Sequence, residues 1–207
     1  MLKPIAKSYD RFMRGAEEAC LTGWRTELLS TLSGAVLEIG AGTGRSLSSY
    51  PEAVDPLTLT EPDAHMRAIL MGAVAAGSRT AEVIDPPAES LPFPDAHFDA
   101  VVCSLVLCSV RQQEPVLREI RRVLRPNGQF VFIEHVAARD RPKRLRWQRW
   151  IEPVWRPLMG NCHLTRNTEA AIDTNGFTIA EIERASMRGA LPFVRPTIRG
   201  RAVPMAV

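Results

Sequence analysis

The 207-residue chain has no apolar run approaching the ~18–20 residues that a membrane-spanning helix needs. Its first twenty residues, MLKPIAKSYDRFMRGAEEAC, contain no apolar core of the signal-peptide kind, so the cytoplasm is the expected location. The four cysteines, Cys20, Cys103, Cys108 and Cys162, form no CxxC pair. That spacing suggests neither a zinc site nor a disulfide framework; buried thiols in a reducing compartment are expected, and no metal. Internal repeats and low-complexity segments are also missing. With 45% hydrophobic and 24% charged residues, the composition is that of an ordinary globular protein. The length suits one core, and residues 1–207 are read as one domain.

Charge is unevenly spread. Residues 1–137 carry 13 Lys/Arg against 17 Asp/Glu, a net −4, whereas residues 138–207 carry 13 against 6, a net +7. Such asymmetry marks a surface suited to something anionic.

Apolar periodicity predicts a helical segment over 9–32, within an N-terminal cap of residues 1–33 that Gly34 ends. Strands follow at 35–39, 57–60, 80–84, within 97–107, and at 129–136. Helices are read at 63–77, with Asp63 as N-cap, and at 114–124, which the turn Pro126-Asn127-Gly128 follows. A helix over 167–177 and two strands, TIAEIER and FVRPTIRG, close the chain. Alternating strands and helices imply a parallel sheet covered on both faces. Residues 138–166 interrupt that rhythm and read as a lid-like insertion after strand five.

Three glycines fall within five positions after the first strand, in VLEIGAGTGRS (36–46). A P-loop needs Gly-Lys-Ser/Thr, but Arg45-Ser46 follows Gly44. The dinucleotide fingerprint GxGxxG needs glycine at 45, which is Arg. The pattern is the tighter GxGxG, and Glu38 stands at its lip. A carboxylate there would repel phosphates but suits a cationic ligand. S-adenosylmethionine (SAM), with an ammonium, a sulfonium and no phosphate, is such a ligand. Alternatively, Glu38 braces the loop. Glu61 ends the second strand, 21 residues after Gly40, where an acid can accept both hydroxyls of a ribose.

The segments VLEIGAGTG, AESLPFPDAHFDAVV and VLREIRRVLRPNGQFVFIEH resemble the class I SAM-dependent methyltransferases, specifically the methyltransferase-11 group. The resemblance implies an α/β, Rossmann-like fold whose seven-stranded, mostly parallel sheet has the order 3-2-1-4-5-7-6, with strand seven antiparallel. It implies SAM as cofactor and S-adenosylhomocysteine as product, lying across the ends of strands one, two and four. By position, Gly40, Gly42 and Gly44, with Ile39, Ala41 and Thr43 between them, pass under the methionine and ribose. Glu61 then binds the ribose, Pro62 and Met66 lie near the adenine, and Ala88 and Glu89 flank its edge. Cys103, Ser104 and Leu105 line the cofactor at the end of strand four. Many relatives have Asp just before that alanine; here it is Pro87, so Glu89 or a backbone carbonyl takes its place.

VVCSLVLCSVRQQEPVLREIRRVLRPNGQFVFIEHVAA and WIEPVWRPLMGNCHLTR look like the membrane-associated alkyl-thiol methyltransferases of animals. They are also similar to bacterial phosphatidylethanolamine and quinone-precursor methyltransferases. The expected acceptor is a small, rather apolar molecule, a thiol first, with a lipid amine or quinone precursor as alternatives. A nicotinamide-dependent oxidoreductase and a non-catalytic SAM-binding or membrane-interaction module are the readings of other classes. His135, ending strand five, and His163, in NCHLTR, are the candidate bases for an acceptor that must lose a proton. Each could instead make only local hydrogen bonds. Cys162 has no required role, because direct transfer needs no nucleophile on the protein.

The insertion holds three of the four tryptophans. Trp147, Trp150, Ile151, Val154, Trp155 and Leu158 form one helical stripe flanked by six basic residues, and Pro153 and Pro157 are expected to kink or split the helix. This pattern suits a lid over an apolar acceptor, peripheral membrane contact through 141–163, or an ordinary helix packed on the core. No recognisable RNA-binding module accompanies it, so nucleic acid is not an expected partner.

Overall fold

The computed structural model describes residues 3–77 and 79–205. The chain opens with α1 (Lys3–Ala16), a wider π-type turn (Glu17–Leu21) and α2 (Thr22–Leu29). Then follow β1 (Gly34–Ile39), β2 (Val54–Thr60), α3 (Ala64–Ala76), β3 (Glu82–Ile84), β4 (Phe98–Ser104), α4 (Gln113–Val123), β5 (Leu124–His135), α5 (Pro142–Leu158), α6 (Thr168–Thr174), β6 (Phe177–Ser186) and β7 (Pro196–Pro204). The strands form one sheet of order β3-β2-β1-β4-β5-β7-β6. β1 to β5 pair in parallel, and β7 runs antiparallel to both of its neighbours. This is the expected order.

Strand alternation divides the core in two. Val36, Ala100, Val102, Val131 and Ile133 face the N-terminal helices and α3, joined by Leu21, Leu28, Leu29 and Leu70. Leu37, Ile39, Val101, Cys103, Phe130 and Phe132 face the other way, onto Val116, Leu117, Ile120 and Val123 of α4. Strands buried on both faces read as continuous apolar runs, which is why AVLEI and FDAVVCS carry no polar alternation.

Among the differences from the sequence reading, three bear on the architecture. The turn at Pro126-Asn127-Gly128 does not precede β5 but lies inside it as an irregularity: Phe98 pairs with Leu124 and Ala100 with Gln129. β7 begins at Pro196, later than expected, and runs to Pro204. Finally, α5 runs unbroken through Pro153 and Pro157 rather than splitting there. Each proline removes an N–H, leaving the carbonyls of Arg149 and Pro153 without a helical partner. Residues 149, 153 and 157 are all exposed, so water can serve those carbonyls.

Close strand approach demands glycine at Gly200. A Cβ there would stand 1.9 Å from the carbonyl oxygen of Glu181, beside the irregularity between Ile179 and Glu181. Gly200→Ala is expected to lower the unfolding free energy by about 1–3 kcal/mol, as overpacking does. An unchanged denaturation midpoint would contradict this packing.

Candidate active site

The carboxyl ends of the parallel strands open into a cavity of about 1410 Å³. Open α/β sheets place ligands at this edge, where the strand order reverses. Here β1 and β4 are neighbours whose outgoing connections part to opposite sides.

At the β1 side, Gly40 and Gly42 both have positive φ, 64° and 61°. A Cβ on Gly40 would stand 2.7 Å from Cγ2 of Val106, whereas one on Gly42 would meet nothing within 4 Å among the described residues. The first glycine is needed for packing, and the second keeps the cavity floor clear. The carboxylate of Glu61 secures this turn: Oε2 accepts from the N–H of Gly42 at 2.9 Å, and Oε1 from that of Asp63 at 2.8 Å. Burial pushes the Glu61 carboxyl up, and these two N–H donors pull against that. Each oxygen keeps a lone pair for a ligand hydroxyl.

Of the expected residues, Ile39, Gly40, Gly42, Glu61, Pro62, Met66, Ala88, Glu89, Ser104, Leu105 and His135 line the cavity. Six do not. Glu38 is 2% exposed and points into the protein, accepting from Ser46 Oγ at 2.7 Å and Tyr50 OH at 3.0 Å. It braces the loop from below, and burial raises its pKa; the expectation that it faces a cation at the lip is corrected. Ala41 belongs to the core. Thr43 is buried away from the cavity under α1, where its hydroxyl donates to Asp10 Oδ1 at 2.8 Å. Gly44 backs onto Leu47 and Leu70. Cys103 is fully buried in the core cluster on the α4 face. His163 is held by Glu152, its Nδ1 3.4 Å from Oε1, outside the cavity wall. Its candidacy as a base is withdrawn on that geometry.

The opposite end is organised by Glu134, which is fully buried. Its carboxylate accepts three consecutive N–H groups: Val106 at 2.9 Å, Leu107 at 2.8 Å and Cys108 at 3.1 Å. This grips the turn after β4, which Leu105 enters at φ +62°. The next residue, His135, is 2% exposed. Its Nε2 lies 2.7 Å from Cys162 Sγ, and its Nδ1 has no hydrogen-bond partner among the described residues. Burial opposes charge on His135, yet the neighbouring Cys108 and Glu134 hold its pKa above the ordinary value.

The cavity's remaining wall includes residues of α1 and α5. Tyr9, Phe12 and Met13 of α1 meet Trp155 of α5, whose ring lies 6.2 Å from that of Phe12. Burial pushes the Tyr9 phenol well up, so it stays protonated at neutral pH. α5 is anchored by Gln148, fully buried, which accepts from Ala138 N and donates to the carbonyls of Val136 and Phe193. Spacing gave no signal for Tyr9 or Gln148; Glu134 could be placed beside His135 at the end of the fifth strand, but not as the acceptor that grips the turn after β4.

Sheet order and glycine turn are those of the class I SAM-dependent methyltransferase architecture. A methyltransferase domain family matches residues 37–132. The human thiol S-methyltransferase TMT1A is 35% identical over 172 residues, covering 82% of this chain and 70% of that protein. Human TMT1B is 32% identical over 216 residues, covering 97% and 88%. Among solved structures, the cyclase SpnF superposes with a TM-score of 0.72 at 20% identity over 90% of this chain and 81% of that one. The YcgJ protein of Bacillus subtilis gives 0.68 at 17%, over 90% and 98%. The chain therefore belongs to the SAM-dependent methyltransferases, in the family of the thiol S-methyltransferases it matches.

The residues present fit that cofactor: a floor kept clear by Gly42, an acid with free lone pairs at Glu61, and the apolar side chains of Pro62, Met66 and Ala88 beside it.

The Glu134 brace is testable directly. Glu134→Gln turns an amide NH2 toward backbone donors and leaves at least one buried N–H unpaired. The expected loss is about 3 kcal/mol of stability, since bonds to a charged acceptor contribute ~1.5–3 kcal/mol each. Denaturant unfolding of a Gln variant indistinguishable from the parent would contradict the role.

Proposed function

We propose that this enzyme transfers the methyl group of SAM to the sulfur of small, apolar thiols. The observation that carries the reading is the make-up of the cavity's far end. There a buried imidazole and two buried thiols, those of His135, Cys108 and Cys162, meet the aromatic and aliphatic wall of Phe12, Met13 and Trp155. The relatives named above as thiol S-methyltransferases support it.

In this reading Glu61 accepts from the ribose hydroxyls, the Gly40–Gly42 turn passes beneath the methionine and ribose, and Pro62 and Met66 contact the adenine. Ala88 and Glu89 edge it, and Ser104 and Leu105 close that side. When bound, SAM supplies a methyl group already activated on a sulfonium, so placement does much of the work. The acceptor enters against Trp155 and puts its sulfur toward His135, at the end of the cavity where the thiol proton departs. Tyr9, held protonated, offers a hydrogen-bond donor there.

Glu61→Ala is expected to weaken SAM binding roughly 10- to 150-fold, the equivalent of one lost hydrogen bond to a charged acceptor at ~1.5–3 kcal/mol. Calorimetry on the folded variant measures this; unchanged affinity would contradict the ribose role. His135→Ala is expected to abolish most turnover of a long-chain alkanethiol while leaving SAM affinity nearly intact. Turnover equal to the parent's would remove His135 from the reaction.

We further infer that the outer face of α5 rests on an anionic lipid surface. The expected stripe is divided by the fold. Ile151 and Trp155 pack inward, while Trp147, Trp150, Val154 and Leu158 face outward, Trp150 at 78% exposed. Arg141, Lys143, Arg144, Arg146, Arg149 and Arg156 share the same helix and its entry. Tryptophans flanked by cations suit the headgroup boundary. No helix among the described residues is long and apolar enough to cross a membrane, so contact of this kind is peripheral. Binding to vesicles containing phosphatidylserine is expected to fall as salt rises, because screening shortens the reach of the cations. Trp150→Ala is expected to weaken that binding while changing stability by less than about 0.5 kcal/mol. Equal binding to neutral vesicles, or none to either, would overturn the lipid contact.

A further inference from the structure

We propose that Cys108, His135 and Cys162 form a zinc site whose fourth position, open to the cavity, takes the acceptor thiol as its thiolate. The inference deepens the proposed thiol reading and rests on it for the identity of the fourth ligand.

Three observations carry it. First, the two sulfurs and the imidazole nitrogen all lie within 4.8 Å of one another, and all three residues are buried. Two thiolates, one imidazole and an open position make up one of the donor sets of catalytic, as opposed to closed structural, zinc sites. Second, all three residues also line the cavity, so the remaining coordination direction has somewhere to lead. Third, the ligands are held before any metal arrives. Glu134 fixes the backbone of Cys108. The Cys108 carbonyl in turn accepts from the N–H of His163 at 2.8 Å, tying the two cysteine-bearing segments together. Asn161 Nδ2 adds a second tie, donating to the carbonyl of Ser109 at 2.9 Å.

The adjustment required is small. Around a tetrahedral zinc, with bonds of ~2.3 Å to sulfur and ~2.0–2.1 Å to nitrogen, neighbouring ligand atoms stand about 3.5–3.8 Å apart. His135 Nε2 and Cys162 Sγ, now 2.7 Å apart, would open by about 0.8 Å.

The site would solve the acceptor's chemical problem. A free thiol is mostly protonated at neutral pH, and the thiolate is the nucleophile. A thiol that coordinates zinc gives up its proton, here to solvent through the cavity mouth. Its sulfur keeps a lone pair, which forms the new sulfur–carbon bond as the carbon–sulfonium bond breaks. The sulfonium sulfur takes the bonding pair and becomes a neutral thioether, and the methylated acceptor, now also a neutral thioether, is a poor zinc ligand and departs. No oxidant or reductant is involved.

The test is cobalt(II) titration of the full chain after chelator treatment, followed by addition of a long-chain alkanethiol without SAM. The expected result is one cobalt per chain, with thiolate-to-cobalt charge-transfer absorption, tetrahedral visible bands, and a shift of those bands when the alkanethiol is added. Cys108→Ser and Cys162→Ser are each expected to weaken cobalt binding by more than about 100-fold, beyond what losing an outer-shell partner costs. SAM calorimetry on both variants reports whether they are folded. A more conservative variant, Cys162→Asp, which keeps an anionic ligand, should restore part of the binding. No stoichiometric cobalt binding, or binding indifferent to both serine substitutions, would overturn the site. Cobalt bound through the cysteines but blind to the alkanethiol would overturn the acceptor role of the fourth position. Failure of the proposed thiol reading shows separately, as an enzyme that binds cobalt as described yet methylates no thiol in the presence of zinc and SAM.

Discussion

The buried carboxylate of Glu134 is the constraint on which the acceptor end of this molecule depends. It sits at the end of β5 and takes the N–H groups of Val106, Leu107 and Cys108, three donors that a turn leaving a central strand would otherwise bury unpaired. Leaving such groups unmet would cost about 1–3 kcal/mol each. The turn is therefore bound to the neighbouring strand at one point, and everything it carries is placed from there. Leu105 is held at positive φ, Val106 presses on Gly40, and Cys108 is brought to His135. Because strand residues alternate faces, a carboxylate that grips the β4 turn leaves the next residue, His135, free to meet Cys162 on the other side.

Two further buried acids show the same logic at the cofactor end. Glu38 beneath the glycine turn and Glu61 beside it each accept two hydrogen bonds. Burial raises both carboxyl groups, and the donors oppose that rise. The two differ in what remains available. Glu38 spends its oxygens on Ser46 and Tyr50 in the interior, whereas Glu61 stands at the cavity with lone pairs to spare. The cavity is thus polar and acidic where a nucleoside fits, and sulfur-rich and aromatic where an apolar acceptor fits.

Much of this was legible in the sequence, because it rests on local rules. Alternating strands and helices, the GxGxG turn and the acid at the end of β2 are all short-range patterns, and the resemblance to methyltransferases supplied the sheet order. What escaped depends on side chains meeting across long separations. Cys108 and Cys162 are 54 positions apart and carry no spacing signal, so a cluster with His135 was not foreseen. Glu38 looked like a ligand because its place in the chain is beside the turn, but Ser46 and Tyr50, further along, turn it inward. His163 looked catalytic by its neighbourhood, yet Glu152 of α5 holds it. The tryptophan stripe of α5 was correctly periodic, but periodicity alone could not say that Gln148 would anchor the helix and leave Trp150 outside. Proline rules anticipated a break in α5 that solvent exposure of the affected carbonyls removes.

The central claim is that the acceptor atom is sulfur, delivered to the His135 end of the cavity. The most direct measurement uses a long-chain acceptor that bears both a thiol and a primary amine. The protein is incubated with methyl-labelled SAM, and fragmentation mass spectrometry locates the label on the product. The account predicts the label on sulfur alone. Label on nitrogen would contradict it.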